Sequence, residues 1–257
     1  MTARFYADMA LVSGASRRLP DNTARHVQVL RLQPGEHITL FNGQGNGQPG
    51  SEGEFDATVE RMGRSEVDVV VGSYRATTRE AALAVHLVVS MPANDRMDWL
   101  VEKATELGVA SIQPVMSERS VLRLKAERAD KKVAHWRGIA IAASEQCGRN
   151  RVPLVHEVAT LGGWLKTCIA LTPDAAKTDL LLLLSLQGGS RPLAQVAAAG
   201  TAAASITFLS GPEGGLSAAE EAAAMACGFS PVSLGPRVLR AETAPLVCLA
   251  WWAMQAT

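Results

Sequence analysis

The sequence is poor in cysteine, and its few cysteines lie far apart. The 257 residues include four, Cys147, Cys168, Cys227 and Cys248, of which no two are closer than 21 positions. There is no Cys-x-x-Cys pair and no cysteine–histidine cluster, which argues against a structural zinc site. Scattered cysteines in a chain of this size are typical of small core residues in a reducing compartment. We therefore expect neither disulfides nor a bound metal.

An excess of charge and long apolar runs are also missing. The chain carries 25 basic and 25 acidic side chains, a formal net charge of +0, which excludes an overall basic coat for nucleic acid. The longest apolar stretches, residues 180–184 and 244–256, are shorter than the roughly 20 residues that a membrane span needs. The N-terminal residues lack the charged start and apolar block of a signal peptide. These features predict a soluble, cytoplasmic protein with no membrane partner.

Several catalytic signatures are absent as well. No G-x-G-x-x-G follows a predicted strand in the second half, and no G-x-x-x-x-G-K-[ST] occurs, which disfavours dinucleotide oxidoreductases and nucleoside triphosphatases. The five histidines show no metal-ligand spacing, and no G-x-S-x-G elbow accompanies them. Metalloenzyme and hydrolase chemistry are therefore poorly supported.

The first part of the chain has the alternating pattern of β-strands. With 47% hydrophobic and 19% charged residues the chain can bury a core. Residues 37–41, 54–59 and 66–71 alternate with period two, and glycine-rich turns separate them. A short helix over 22–30 precedes them. This pattern predicts a small β-barrel or sandwich, followed by a polar linker over 73–81.

From residue 83 onward, strands alternate with helices. Apolar runs predict strands over residues 83–90, 111–116, 152–158, 180–186, 206–210 and 232–234. Between the first two we expect a helix that Asp95 caps and Gly108 ends, and a long basic helix covers 125–147. Unbroken apolar strands separated by helices are typical of a mostly parallel sheet covered on both faces.

Three loops at predicted strand ends are candidates for a ligand site, because ligands bind beyond the carboxyl ends of such strands. They are residues 185–190, 210–215 and 234–243. Glycines let a backbone approach a ligand closely and leave amide N–H groups free for it, although a tight connection alone also explains a glycine cluster. Ser217 and Glu220 form an S-x-x-E capping box after the second loop. Arg237 and Arg240 in the third loop favour a ligand site, although a surface pair of Arg240 with Glu242 is an alternative.

A local basic segment stands out in the neutral chain. Residues 117–151 contain nine Lys or Arg against four Asp or Glu. Most of this segment fits a solvated helix face with a glycine C-cap at Gly148. A solvated helix face explains less well why several planar polar groups crowd into one turn, since such groups bind phosphates and base edges. These residues are Glu145, Gln146, Arg149, Asn150 and Arg151.

With these motifs assembled, the chain resembles the bacterial 16S ribosomal RNA uracil-N3 methyltransferases, the RsmE family of the SPOUT superfamily. The resemblance covers almost the whole chain. It is carried by Arg25-His26, Val29-Leu30-Arg31, residues 103–109, Ser117-Glu118-Arg119-Ser120, and residues 144–149, 211–217 and 234–243.

The resemblance implies an α/β fold in two domains. Residues 1–75 would form a PUA-like β-barrel that binds RNA, and residues 76–257 a SPOUT methyltransferase domain with a C-terminal trefoil knot. A knot breaks the usual rule against threaded chains and does not follow from composition. The resemblance further implies a homodimer, S-adenosylmethionine as methyl donor, and 16S rRNA in the small ribosomal subunit as partner.

The family's binding residues carry over onto the three loops. The implied cofactor-binding residues are Leu186, Gln187, Ser210, Gly211, Glu213, Gly214, Leu234, Gly235, Arg237, Leu239, Arg240 and Thr243. The family often has Leu-His-Pro after the leucine-rich strand, where this sequence has Leu184-Ser185-Leu186-Gln187. Any role of that histidine side chain is therefore absent here.

The expected reaction is direct methyl transfer to N3 of an unpaired or outward-turned uridine, which must lose its N3 proton. Arg149 or Arg240 would stabilise the developing uridine anion. Glu145 or Glu242 would accept the proton or merely orient an arginine, and for Glu145 we favour the orienting role. The candidate RNA contacts are Arg4, Arg25, Arg31, Arg119, Arg149 and Arg151.

Three other functions remain as alternatives to this reaction. They are a SPOUT enzyme that acts on another RNA, a non-catalytic RNA-binding protein and, third, a dinucleotide-binding oxidoreductase.

Overall fold

The computed structural model describes residues 2–45, 52–93, 95–124, 126–171, 179–199, 203 and 205–254, without the side chains of 126, 168–171 and 197–199. The side chain of Cys168 therefore lies outside the described part, and the other three cysteines are free thiols. The chain divides into two compact units. One comprises Met1–Glu80 with Ile141–Val152, and the other comprises Ala81–Ala140 with Pro153–Thr257.

The first unit is built on a five-stranded sheet with the strand order β1-β3-β4-β5-β2. Its elements are β1 (Arg4–Tyr6), β2 (Ser16–Arg18), α1 (Asp21–Val29), β3 (His37–Phe41), β4 (Gly53–Met62) and β5 (Val67–Ala76). The pair β1–β3 is parallel and the other pairs are antiparallel. Alternate residues of the strands point inward and form the core with α1, as the period-two pattern predicts. Phe5, Ile38, Leu40 and Phe55 are all at most 1% exposed.

One expectation for this unit is wrong, and two of its strands have no counterpart in the sequence predictions. The predicted linker over 73–81 begins too early, because β5 continues to Ala76 and pairs there with Gly53 of β4. The ring of Tyr74 packs at 5.1 Å from that of Phe55, which gives this polar stretch an apolar anchor. The strands β1 and β2, of three residues each, are also absent from the predictions, because runs so short show no periodicity.

The second unit contains an eight-stranded sheet in which every pair is parallel. The path of the sheet is β11-β13-β10-β12-β6-β7-β8, and β9 also pairs with β7. Its strands are β6 (Ala84–Ser90), β7 (Ser111–Met116), β8 (Leu154–Val155), β9 (Ala159–Thr160), β10 (Asp179–Leu184), β11 (Arg191–Pro192), β12 (Ser205–Ser210) and β13 (Ser230–Ser233). The helices are α2 (Arg96–Glu106), α3 (Ala126–Cys147), α4 (Leu161–Leu171), α5 (Leu193–Ala199), α6 (Ala218–Ala226) and α7 (Thr243–Ala253), and the end of α3 belongs to the first unit.

Apolar side chains pack on both faces of this sheet. Phe208 of β12 packs against Trp252 of α7, with ring centroids 5.6 Å apart. Its neighbour Leu209, which points to the opposite face, belongs to a buried cluster with Leu165 of α4 and Phe229. The prediction of an α/β fold with a parallel, two-sided sheet is confirmed.

Two local predictions in this unit fail. Asp95 precedes α2 but has helical backbone angles, φ −71° and ψ −5°, and its side chain makes no capping hydrogen bond. The strand expected over 152–158 shrinks to Leu154–Val155, which pairs only with Ser111 and Ile112 at the edge of the sheet. An edge strand can pair on one side only, and edge strands are often very short. The length of the apolar run therefore overestimates the length of this strand.

The predicted capping box at the start of α6 is confirmed. The Ser217 hydroxyl accepts a hydrogen bond from the Glu220 amide at 3.3 Å, and the Ser217 amide donates to Glu220 Oε2 at 2.9 Å. Two N–H groups that the helix leaves unpaired are thus satisfied.

We predict that Ser217→Ala lowers the free energy of unfolding by about 1 kcal/mol, because the helix loses its N-cap acceptor. Urea unfolding followed by circular dichroism measures this change. The matched control is Ser13→Ala, at an exposed turn position, which should change stability by less than about 0.5 kcal/mol. Equal stabilities of the two variants would contradict the capping role.

Candidate functional site

Three loops meet at the carboxyl edge of the parallel sheet because their strands are neighbours. The strands β13, β10 and β12 are adjacent in that order and run parallel, so the loops that follow them leave from the same edge. These loops enclose a cavity of about 650 Å³. Ligand pockets usually have volumes of roughly 300–1,000 Å³. The cavity is therefore the size of a small-molecule site.

The structure brings most of the predicted cofactor-binding residues together in the wall of this cavity. Those in the wall are Leu186, Gln187, Ser210, Gly211, Glu213, Gly214, Leu234, Gly235, Arg237, Leu239 and Arg240. Thr243 is not part of the wall. It is the first residue of α7, and its amide donates to the Arg240 carbonyl at 2.9 Å, which fixes the end of the third loop.

The loop after β12 has a backbone that only glycine permits at two points. A Cβ on Gly211 would lie 2.8 Å from the Leu216 amide nitrogen, which is closer than real contacts allow. Gly215 has a φ of +68°, and its amide donates to the Pro212 carbonyl at 2.8 Å. Just before this turn, the Ser210 hydroxyl is buried and has no hydrogen-bond partner. A buried hydroxyl without a partner is costly and is available to a ligand in the cavity.

The loop after β10 is held by Ser185. The Ser185 hydroxyl donates to the Glu221 carboxylate, at 3.0 Å from its nearer oxygen, and accepts from the Gln187 amide at 3.1 Å. Glu221, in α6, also lies in the cavity wall. Its part in the site has no sequence signal, because only the fold places this helix beside the loop.

The loop after β13 presents Arg237 and Arg240 to the cavity, and both are exposed. Glu242 forms its ion pair with Arg96. Its Oε1 lies 3.7 Å from Arg96 Nε, and its buried Oε2 has no hydrogen-bond partner. Arg96 also approaches Glu213 of the second loop at 3.5 Å. The surface pair of Arg240 and Glu242 considered from the sequence is therefore not formed.

Arg119 reaches the same cavity from a different part of the chain. Its side chain is in the cavity wall and donates from Nη1 to the Gly214 carbonyl at 2.9 Å. The sequence suggested Arg119 as an RNA contact and gave no sign that it touches the glycine loop. Contacts between segments 95 residues apart have no local signature.

In the first unit, three predicted RNA-contacting arginines are ion-paired within the protein. Arg4 pairs with Glu54 and donates from Nη2 to Asn150 Oδ1 at 2.8 Å. Arg149 is 3% exposed, and its Nε lies 3.1 Å from both carboxylate oxygens of Glu80. Arg151 pairs with Glu52. These contacts join residues 149–151 to β1 and to the residues before β4 and after β5.

Arg25 and Arg31, both exposed, are the members of the predicted RNA set in this unit that form no ion pair with a described residue. Arg31 has a φ of +55°, which is rare for a residue with a side chain and costs free energy. It follows Val29 and Leu30, which are 70% and 50% exposed. This end of α1 thus combines positive charge with exposed apolar surface.

Glu145 occupies a partly buried position in the first unit. Its Oε1 accepts from the Tyr6 amide at 2.9 Å, and its Oε2 lies 3.1 Å from His26 Nδ1. Burial raises the pKa of Glu145, and the Tyr6 amide, His26 and Arg4 only partly oppose that shift. Both carboxylate oxygens are engaged with these two neighbours, and the role of Glu145 in orienting an arginine stays a prediction.

Among the described residues, no group of three or more histidine, cysteine, aspartate or glutamate side chains could hold a metal ion. Within the same part of the chain, no helix is long and apolar enough to cross a membrane.

Comparison with known proteins gives concordant matches. A family model described as RNA methyltransferase domain matches residues 79–253, and one described as RNA methyltransferase PUA domain matches residues 19–47. The ribosomal RNA small subunit methyltransferase E of Bacillus subtilis is 30% identical over 87% of this chain and 83% of its own length. That of Aquifex aeolicus is 33% identical, over 88% of this chain and 89% of its own.

Solved structures match over nearly the full length. The ribosomal RNA small subunit methyltransferase E of Neisseria gonorrhoeae, bound to S-adenosylmethionine, superimposes with a TM-score of 0.86 at 36% identity, over 99% of this chain and 97% of that one. A methyltransferase of Legionella pneumophila, in complex with the same cofactor, also gives 0.86, at 33% identity and with coverages of 99% and 98%.

The parallel sheet, the cavity at its carboxyl edge and these matches define an RNA methyltransferase with a PUA domain. The chain belongs to the family of the ribosomal RNA small subunit methyltransferases E.

The buried carboxylate of Glu54 gives a pH-dependent prediction for the first unit. Burial alone would raise the pKa of Glu54, but the hydrogen bond from Arg4 and the charges of Arg4, Arg79 and Arg75 together lower it. A lowered pKa in the folded state stabilises the protein above the ordinary value of about 4.5, and this contribution is lost as the pH falls through the lowered value.

We therefore expect Glu54→Gln to lower the free energy of unfolding by about 1–2 kcal/mol at pH 7 and by progressively less below pH 4.5. Urea titrations at pH 7, 5 and 3.5 measure the difference. Asp8→Asn, at an exposed carboxylate of the same unit, is the control and should have little effect. A loss for Glu54→Gln that is the same at every pH would refute the assigned charge interactions.

Proposed function

We propose that this protein transfers the methyl group of S-adenosylmethionine to N3 of a uridine in 16S rRNA, within the small ribosomal subunit. The observation that carries the proposal is the single cavity formed by the three strand-exit loops, in a chain whose full-length structural matches include two solved with S-adenosylmethionine. The family name of the relatives supports the small-subunit RNA as substrate, and the choice of N3 rests on the motif resemblance.

The residues present fit the donor. The cavity has the volume of a cofactor site, and the unpartnered Ser210 hydroxyl offers a polar contact at its wall. The tight turn at Gly211 allows the backbone to approach a flat ring closely. Backbone amides and carbonyls of the three loops would hold the donor, and such contacts do not need the histidine side chain that the family often has after the leucine-rich strand. When bound, the donor supplies an electrophilic sulfonium methyl group, so the protein mainly has to orient the reactants.

The residues of the chain would then act on the uridine. The pairing edge must be unstacked and exposed, because N3 lies within the base pair. We assign the stabilisation of the developing uridine anion to Arg240, which is exposed in the cavity wall, rather than to Arg149, whose guanidinium is buried against Glu80. Glu242, with one buried oxygen lacking a partner, is the candidate acceptor for the N3 proton.

Contacts with the RNA backbone are assigned to Arg25 and Arg31, which are exposed and form no ion pair with a described residue. Their charges lie beside the exposed apolar residues at the end of α1. Arg4, Arg149 and Arg151 would instead hold residues 148–151 in place, or exchange their carboxylate partners for phosphate when RNA binds.

The finer details of the fold belong to the same proposal. We infer a PUA-like barrel over about residues 1–75, which the register shifts in β4 would help to close, and a trefoil-knotted domain over 76–257. We also infer a cytoplasmic homodimer. The helix α7 supports the dimer, because it is apolar nearly all round and yet leaves Val247 41% exposed.

The decisive experiment uses small ribosomal subunits from a strain that lacks the endogenous enzyme. The subunits are incubated with the protein and S-adenosylmethionine, and their nucleosides are then analysed by mass spectrometry. We expect 3-methyluridine, and we expect Arg240→Ala to lower kcat/KM about 100-fold, because an anion-stabilising group is removed. Arg128→Ala, at an exposed position of α3, is the matched control and should retain full activity.

The other outcomes separate the alternatives. A different methylated nucleoside would indicate a methyltransferase for another position. No methylation, together with no thermal stabilisation by S-adenosylmethionine, would indicate a non-catalytic RNA-binding protein.

A further inference from the structure

The motif Ser117-Glu118-Arg119-Ser120 forms a rigid turn after β7. The Ser117 amide donates to the Ser120 hydroxyl at 2.9 Å, and the two hydroxyls are also 2.9 Å apart. Both serines are 6% exposed. The hydrogen bond between the two buried hydroxyls fixes the backbone of the turn. It thereby also fixes the position of the Arg119 backbone, from which the side chain extends.

This turn is attached to the glycine loop at two points. The Glu118 amide donates to Glu220 Oε1 at 2.8 Å, and Glu220 is the residue that completes the capping box of α6. Arg119 Nη1 donates to the Gly214 carbonyl at 2.9 Å. The aliphatic part of Arg119 also lies against Gly214, since a Cβ built there would be 3.5 Å from Arg119 Cβ.

The contact with Gly214 acts on a peptide unit that would otherwise be free to rotate. Neither Gly214 nor Gly215 has a Cβ, so the peptide between them can flip at little steric cost. In the structure, both sides of this peptide are held. Its N–H, on Gly215, donates to the Pro212 carbonyl at 2.8 Å, and its carbonyl, on Gly214, accepts from Arg119.

We propose that Arg119 is a positioning residue for the donor site, which holds the Gly214–Gly215 peptide in the orientation that shapes the cavity, and is not primarily an RNA contact. The inference rests on the proposed function, because it takes the cavity to be the site for S-adenosylmethionine. Among the described lining residues, Arg119 is the one that comes from outside residues 184–244. The fold therefore brings a separate segment to the loop that most needs support.

The two roles of Arg119 predict different results for donor binding in the absence of RNA. A positioning residue affects the affinity for S-adenosylmethionine and for the demethylated product S-adenosylhomocysteine equally, since both need the same loop. A purely electrostatic effect does not, because the donor carries a sulfonium charge that the product lacks. Loss of a nearby cation would then favour the donor over the product.

The test is isothermal titration of the full-length protein with each of the two compounds. For Arg119→Ala we expect Kd to rise about tenfold for both, the effect of one lost charge-assisted hydrogen bond. Arg119→Lys keeps a positively charged hydrogen-bond donor but lacks the planar guanidinium group, and it should recover part of the affinity. Arg128→Ala removes a positive charge from an exposed position in the same basic segment and should bind like the wild type. Steady-state kinetics should show a raised KM for the donor and an unchanged KM for the subunits.

Unchanged donor binding in Arg119→Ala, with weaker binding of 16S rRNA and a shallower salt dependence, would overturn the inference and make Arg119 a phosphate contact. Unequal losses for the two compounds would also overturn it. Wild-type protein that binds neither compound would instead refute the proposed function itself. If Arg119→Ala fails to fold, as thermal unfolding would reveal, the comparison of Arg119→Lys with the wild type provides the same test, with a smaller expected loss.

Discussion

The site depends on the adjacency of three parallel strands. The strands β13, β10 and β12 run side by side in the same direction. The loops that follow them therefore begin close together in space, at the same edge of the sheet. Each turn is then adapted locally: Ser185 holds one loop through Glu221, glycines close the second, and arginines line the third. The three loops are thus spread over residues 184–244 of the sequence but gathered at one edge of a sheet.

The loop after β12 is the most constrained of the three. Position 211 must be glycine because the Leu216 amide nitrogen lies too close for a side chain. Position 215 favours glycine because the backbone there has a positive φ. The same glycines that permit this path would also permit others. The orientation of the Gly214–Gly215 peptide is therefore fixed on one side within the loop, by the Pro212 carbonyl, and on the other side from outside it, by Arg119.

Much of the fold and of the candidate site could be predicted from the sequence. The features that could not be predicted depend on contacts between distant parts of the chain. The strands His37–Phe41 and Ser111–Met116 agree residue for residue with their apolar patterns, and the capping box of Ser217 is a local signal that survived folding. Eleven of the residues assigned to the donor lie in one cavity wall, since their motifs lie at strand ends. Ion pairs such as Arg149 with Glu80 could not be predicted, because partners 69 residues apart leave no periodic trace. The attachment of residues 141–152 to the first unit escaped prediction for the same reason.

The central claim is that the three loops form the donor site, and hydrogen–deuterium exchange of the wild-type protein with and without S-adenosylmethionine tests it most directly. Bound donor should slow the exchange of backbone amides in residues 184–188, 210–216 and 234–244, because these amides become buried or hydrogen-bonded. Protection that appears elsewhere and leaves these three segments unchanged would contradict the account.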